Sequence, residues 1–274
     1  MTTHANEARK GAGSVTEAWK EHLKEAGYEA PEVTGASCAK VLRLSRSWRR
    51  ILSATGMAAD RPARVLEFGC GGGRQLMPLY VRGWDCTGVD VSPEVIERAR
   101  TFARGVDAHC SPKGRLHLLC VDFKDYLPEG GPFDLTFHFG VMEHFLDDSE
   151  RFAYLKKMFD LTRPGGWVVS VVPCGIHPLR AEQRAAGLGG YKIPEIDYSP
   201  ALLADEMRRC GATSIRVLAH DLLGYLNLKP RAGALRLVEK AAYYAAQAPL
   251  FRLLPLECLS RHSYSLIAAG RKGA

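Results

Sequence analysis

Short, nearly unbroken apolar runs recur along the chain, separated by stretches in which apolar residues return every third or fourth position. The runs Val65–Phe68, Cys86–Asp90, Leu116–Phe123, Phe133–Gly140 and Gly166–Pro173 read as buried strands. Ser214–His220 and Ser263–Ala269 read as two more. Helices are expected between them. Arg74–Arg82 follows the first strand, and Ser92 caps a helix that opens on Pro93, with Glu94 in its first turn and Arg98 and Arg100 towards its end. Ser199 caps another, running from Pro200 to Arg209 before Gly211. Upstream, Thr16–Ala26 carries Val15, Trp19 and Leu23 on one side, and Ser37–Thr55 carries Val41, Leu42, Trp48, Ile51 and Leu52. Strands alternating with helices imply an α/β architecture.

The chemistry concentrates where the strands end. The first runs through Glu67 into Gly69-Cys70-Gly71-Gly72-Gly73, a turn whose missing Cβ atoms let a ligand approach the main chain. The free N–H groups of the next helix would point at that ligand. The turn begins like the dinucleotide pattern G-x-G-x-x-G, but Arg74 stands where that pattern wants a small residue, which argues against a nicotinamide or flavin site. Asp90 ends the second strand nineteen residues past Gly71, placed to accept from ribose hydroxyls, with Val91 beside it. Asp122 follows the third strand and could accept from an exocyclic amine while Phe123 packs on a purine face; Asp125 lies close enough to exchange roles with Asp122.

Glu67 with the spaced glycines, Asp90, Asp122-Phe123 and Phe139-Gly140-Val141, in this order, resemble the class I S-adenosylmethionine-dependent methyltransferases over residues 62–173. The resemblance implies a Rossmann-like, mostly parallel seven-stranded α/β sheet with helices on both faces, its last strand antiparallel. It implies S-adenosylmethionine held by Glu67, Gly69, Cys70, Gly71, Gly73, Asp90, Val91, Asp122, Phe123, Phe139 and Gly140. An N/D-P-P-Y-type motif is absent from the fourth strand, which weakens a base-methylating reading. In this family N-terminal helices commonly cover the cofactor.

A sulfonium methyl is transferred by in-line displacement, so the acceptor needs alignment in a dry site, and a hydroxyl acceptor also needs a base. His144, just past the fourth strand in Gly140-Val141-Met142-Glu143-His144-Phe145, is the candidate base; Glu143 and His144 could instead stabilise their loop. His138 lies within the strand and should be packed. Glu143, His177, Tyr191 and Tyr198 are candidate acceptor contacts, the last three on a long loop over 174–198 that reads as a lid. An insertion of about forty residues over 221–261 replaces a short hairpin before the last strand. In it Ala234, Val238, Ala241, Ala245 and Ala248 share one helical face, and Arg236, Lys240, Tyr243 and Gln247 the other. A cap over the acceptor is expected, with a packed helix, a dimer contact or an interfacial helix as alternatives. The chain then divides into a helical cap over 1–61 and a core over 62–273.

Composition narrows this picture. With 274 residues and 46% hydrophobic content the chain can bury one large core. No apolar run reaches the roughly eighteen residues of a membrane span, and residues 1–13 lack an apolar signal core, so a cytoplasmic protein is expected. The eight cysteines show no metal-ligand spacing and read as reduced core residues; no metal is expected. The net charge of +7 is most concentrated at Lys40, Arg43, Arg46, Arg49 and Arg50, which read as a solvated helix face, with attraction of anions as the alternative. Nucleic acid is thus an unlikely partner, and no oligomeric state is implied. A small-molecule methyltransferase acting on O, N or S is the favoured function. An RNA methyltransferase and a non-catalytic binding module with this fold are the rivals.

Overall fold

The computed structural model describes residues 33–186, 193–227 and 233–274. In chain order it contains α1 (Cys38–Val41), α2 (Arg46–Thr55), β1 (Arg64–Phe68), α3 (Met77–Tyr80), β2 (Asp85–Asp90), α4 (Pro93–Cys110), β3 (Arg115–Cys120), β4 (Phe133–Phe139), α5 (Asp148–Leu161), β5 (Thr162–Pro173), α6 (Arg180–Ala185), α7 (Pro200–Arg209), β6 (Ala212–Leu222), α8 (Ala234–Ala246), α9 (Leu256–Arg261) and β7 (Ser263–Lys272). Short 3₁₀ turns at Met142–His144, Gly224–Asn227 and Pro249–Leu253 join them.

The seven strands form one sheet in the order β3-β2-β1-β4-β5-β7-β6. Pairs among β1 to β5 are parallel, and β7 runs antiparallel between β5 and β6. Successive residues of the central strands feed opposite faces. Leu66 and Phe68 join one core with Tyr154, Leu155 and Leu266, while Val65 joins the other with Trp48, Leu76, Phe137 and Ile267. This is the Rossmann-like sheet expected.

The differences are local. The expected helix over Ser37–Thr55 is two helices, because Ser45 adopts an extended conformation and its side chain accepts from the Trp48 N–H, opening α2 afresh. The expected helix over Arg74–Arg82 contracts to Met77–Tyr80, since the residues before it stay in turns closed by Gly73 N–H to Cys70 and Leu76 N–H to Gly73. The third strand stops at Cys120, leaving Asp122 and Phe123 in the following loop. Cys38 and Cys110 form a disulfide, and Cys120 and Cys258 are exposed, so the expectation of eight reduced core thiols holds only for Cys70, Cys86, Cys174 and Cys210. The helix over Thr16–Ala26 lies outside the described residues.

The insertion helix α8 packs through part of its polar face. Its alanine face, with Val238, is largely in water, and Tyr243 and Gln247 point inward. Tyr243 donates to Asp221 (2.6 Å) and Gln247 to the Leu222 carbonyl (2.7 Å), so polar anchors on β6 override the apolar stripe. The 174–198 segment is likewise no plain loop: it contains α6 and is pinned by Gly175 N–H to the Tyr198 carbonyl.

His138 on β4 is fully buried, within 2.5 Å of Ser170 Oγ, and burial pushes its pKa down to about 3. A histidine depressed on folding contributes stability that is present above its unfolded value near 6.5 and is lost as pH falls towards its folded value. Acid titration of stability by urea unfolding should therefore show His138→Gln losing less than the parent between pH 6.5 and 4, by up to about 1 kcal/mol per pH unit.

Candidate active site

The carboxyl ends of β1, β2 and β4 meet at the glycine turn. The N–H groups of Gly69 and Cys70 both donate to the Val89 carbonyl (2.8 and 3.0 Å), fastening the turn to β2. Gly69, Gly71 and Gly73 take positive φ angles of 67°, 52° and 76°, which disfavour any side chain. A Cβ on Gly69 would come within 2.5 Å of Val141 Cγ2, whereas Gly71 and Gly72 face open space. The turn is thus packed on one side and accessible on the other.

Carboxylates crowd this edge. Glu67 is buried, its Oε2 has no hydrogen-bond partner among the described residues, and burial followed by the charge of Asp90 raises its pKa well above the usual carboxylate range. Asp90 accepts from the N–H groups of Gly71 (3.0 Å) and Ser92 (3.1 Å), leaving lone pairs for a hydroxyl. Its neighbour Val91 is half-buried. Burial raises the Asp90 pKa, against these amides. Tyr154 lies within the fields of Glu143, Glu67 and Asp90; burial first, then these three charges, keep its phenol protonated. Its position on α5 gave no sign of this role in the sequence. Asp122 is half-buried and Asp125 exposed. Phe123 packs against Tyr154 (4.8 Å), Phe145 (5.7 Å) and Phe68 (6.2 Å). Phe139 contacts Trp48 (6.2 Å), and Gly140, with φ 67°, donates to the Val171 carbonyl. The Cys70 and Cys174 thiols are buried with raised pKa, so neither is a ready nucleophile.

The step after β4 gathers residues distant in sequence. His144 is buried, Nδ1 lies 3.1 Å from the Pro194 carbonyl, and Nε2 lies 3.8 Å from Glu143 Oε1. A carbonyl can only accept, so Nδ1 carries the proton and Nε2 the lone pair. Burial, with the charge of Glu195, lifts Glu143 to about 8, so it holds its proton at neutral pH. Ligand atoms of Glu143, His144 and Glu195 all fall within 4.8 Å of one another, the one grouping among the described residues that could hold a metal ion. The positive charge beside them is that of Arg180, whose Nη1 is 3.0 Å from Glu195 Oε1 and which also pairs with Asp197. Sequence spacing could not reveal this cluster, because Glu195 joins it across fifty residues of chain.

The other acceptor candidates separate. His177 is buried, stacked on Tyr225 (5.2 Å, 8° between planes), and burial lowers its pKa to about 4. Tyr198 belongs to the core: its hydroxyl donates to Glu206 (2.8 Å), which accepts from Arg151 Nε (2.9 Å). That commitment takes it away from the acceptor role expected of it. Tyr191 lies outside the described residues.

A model described as a methyltransferase domain matches residues 41–209, more than half of the chain. The chain belongs to the methyltransferase domain family. The cofactor of this methyltransferase fold is S-adenosylmethionine, and the orphaned Glu67 oxygen beside the open glycines fits a polar, cationic ligand laid along the turn. Ubiquinone biosynthesis O-methyltransferases are similar to part of the chain. That of Caulobacter sp. (strain K31) is 34% identical over 109 residues, and that of Cereibacter sphaeroides (strain ATCC 17025 / ATH 2.4.3) 32% over 111. Each match covers 39% of this chain and only 39% of its relative, so the chain spans about two fifths of the length of these relatives. The fold is also that of magnesium protoporphyrin IX methyltransferase from Synechocystis PCC 6803, crystallised with S-adenosylmethionine (TM-score 0.54, 15% identity, 96% of this chain and 99% of that one). Phosphoethanolamine N-methyltransferase 2 of Haemonchus contortus is similar too (TM-score 0.58, 14% identity, 97% and 61%).

Gly69→Ala should strain the turn and collide with Val141. We expect a loss of about 1–3 kcal/mol in urea unfolding together with loss of cofactor affinity.

Proposed function

We propose that this protein transfers a methyl group from S-adenosylmethionine to a small-molecule acceptor, at an oxygen. The observation that carries the proposal is the turn itself: a buried carboxylate with an unpaired oxygen, Glu67, next to glycines open on one side and closed by Asp90. Glu67 and the turn would hold the methionine end of the cofactor, Asp90 the ribose, and Asp122 with Phe123 the adenine. The bound cofactor supplies a methyl already activated by its sulfonium. The chain's own task is then alignment and exclusion of water. Burial of Glu143, His144 and Tyr154 supplies a dry wall at the end of β4.

The choice of oxygen is supported by the names of the curated relatives and by His144. Its Nε2 lone pair is suited to take the proton of a hydroxyl as the methyl arrives. Glu143, protonated at neutral pH, does not compete for that proton. His177 and the segment 221–261 would cover the acceptor, with residues before 62 over the cofactor. Six free thiols among the eight cysteines support a cytoplasmic setting. No helix among the described residues is long and apolar enough to cross a membrane.

Calorimetric titration with S-adenosylhomocysteine, run beside NADH, tests the cofactor without knowledge of the acceptor. Saturable binding of the first alone, abolished by Asp90→Ala, is expected; a folded wild type that ignores S-adenosylhomocysteine would return the fold to a partner-binding module. For the base, His144→Ala should lower methyl transfer at least about tenfold with cofactor affinity almost unchanged. Near-normal turnover would remove His144 from the reaction.

A further inference from the structure

A cavity of about 740 Å³ opens on the flank of the sheet, between α2, β6 and the segment joining β6 to β7. Its size lies within the roughly 300–1,000 Å³ usual for small-molecule sites. The two walls differ in kind. Arg46, Arg49 and Arg50, on one face of α2 by their spacing, form a cationic side, and Phe251, Leu254 and Leu259 form part of an apolar side. No aspartate or glutamate stands among the lining residues described.

The cationic wall is built rather than loose. Arg46 donates to Tyr243 Oη (3.1 Å), and its guanidinium lies over the rings of Tyr243 (5.1 Å) and Tyr244 (5.8 Å). Asp221 accepts from Tyr243 at 2.6 Å. Arg49 has no ion pair or side-chain hydrogen bond among the described residues. The apolar wall is similarly uncovered: Phe251 is 38% exposed and Leu254 45%. A solvated basic helix face would not be expected to look across a concavity at uncovered leucine and phenylalanine.

We infer that this cavity binds an amphiphilic anion, a carboxylate or phosphate carried on a hydrocarbon body, with its head on the arginines of α2 and its body on the Phe251–Leu259 wall. Guanidinium groups suit both head groups because their paired N–H donors match two oxygens. Covering the opposite wall removes apolar surface from water. The inference concerns binding alone and stands whether or not the bound molecule is the methyl acceptor.

The test is calorimetric titration of dodecyl phosphate, held below its micelle concentration, into the full chain. One molecule should bind per chain, inorganic phosphate should bind at least about a hundredfold more weakly, and Arg49→Glu and Leu254→Ser should each lower affinity at least about tenfold. Both positions are exposed, and unchanged thermal midpoints would show that the variants fold. Co-sedimentation with phosphatidylglycerol vesicles separates a free ligand from a lipid surface. Absence of monomer binding, binding indifferent to both variants, or binding to vesicles alone would overturn the inference.

Discussion

Carboxyl groups held out of water at one edge of the sheet are the constraint around which this molecule is organised. Glu67, Asp90 and Glu143 end up together because three parallel strands deliver their carboxyl ends to the same place. Burial raises the pKa of each, so none is a free gain to stability. What makes the arrangement tolerable differs from residue to residue. Asp90 is met by two backbone amides, Glu143 keeps its proton, and Glu67 waits for a partner that the described residues do not supply. A cationic sulfonium cofactor with an ammonium group would resolve that last imbalance.

The same argument separates what was legible in the sequence from what was not. The strands, the glycine turn and Asp90 were readable because each is written locally: apolar runs, missing side chains, an acid at a strand end. The inward turn of α8 was not, since Tyr243 and Gln247 are held by Asp221 and Leu222 on another element, and a stripe of alanines carries too little apolar area to compete. Tyr198 misled for a related reason. A tyrosine in a glycine-punctuated loop resembles a ligand contact until Glu206 and Arg151, on two different helices, close around its hydroxyl. Glu195 gave no signal at all, for its meaning depends on meeting Glu143, His144 and Arg180 in space.

Helix α2 ties the two halves of the picture together. Trp48 donates from its indole to the Gln75 carbonyl (3.0 Å), just beyond the glycine turn, and stands edge-on to Phe137 of β4 (5.0 Å). One turn away, Arg46, Arg49 and Arg50 face the flanking cavity. Its buried side is thus fixed to the main chain that follows the turn, and its arginine side to the cavity.

The register at the sheet's edge has a structural consequence. Leu222, where the chain leaves β6, stands directly across from Ser263, where it enters β7, so the forty-residue excursion between them begins and ends at paired positions. A two-residue hairpin could bridge the same points, and so could a different cap altogether, without moving any strand. Exchanging the segment would therefore leave the strands, and with them Glu67 and Asp90, where they are.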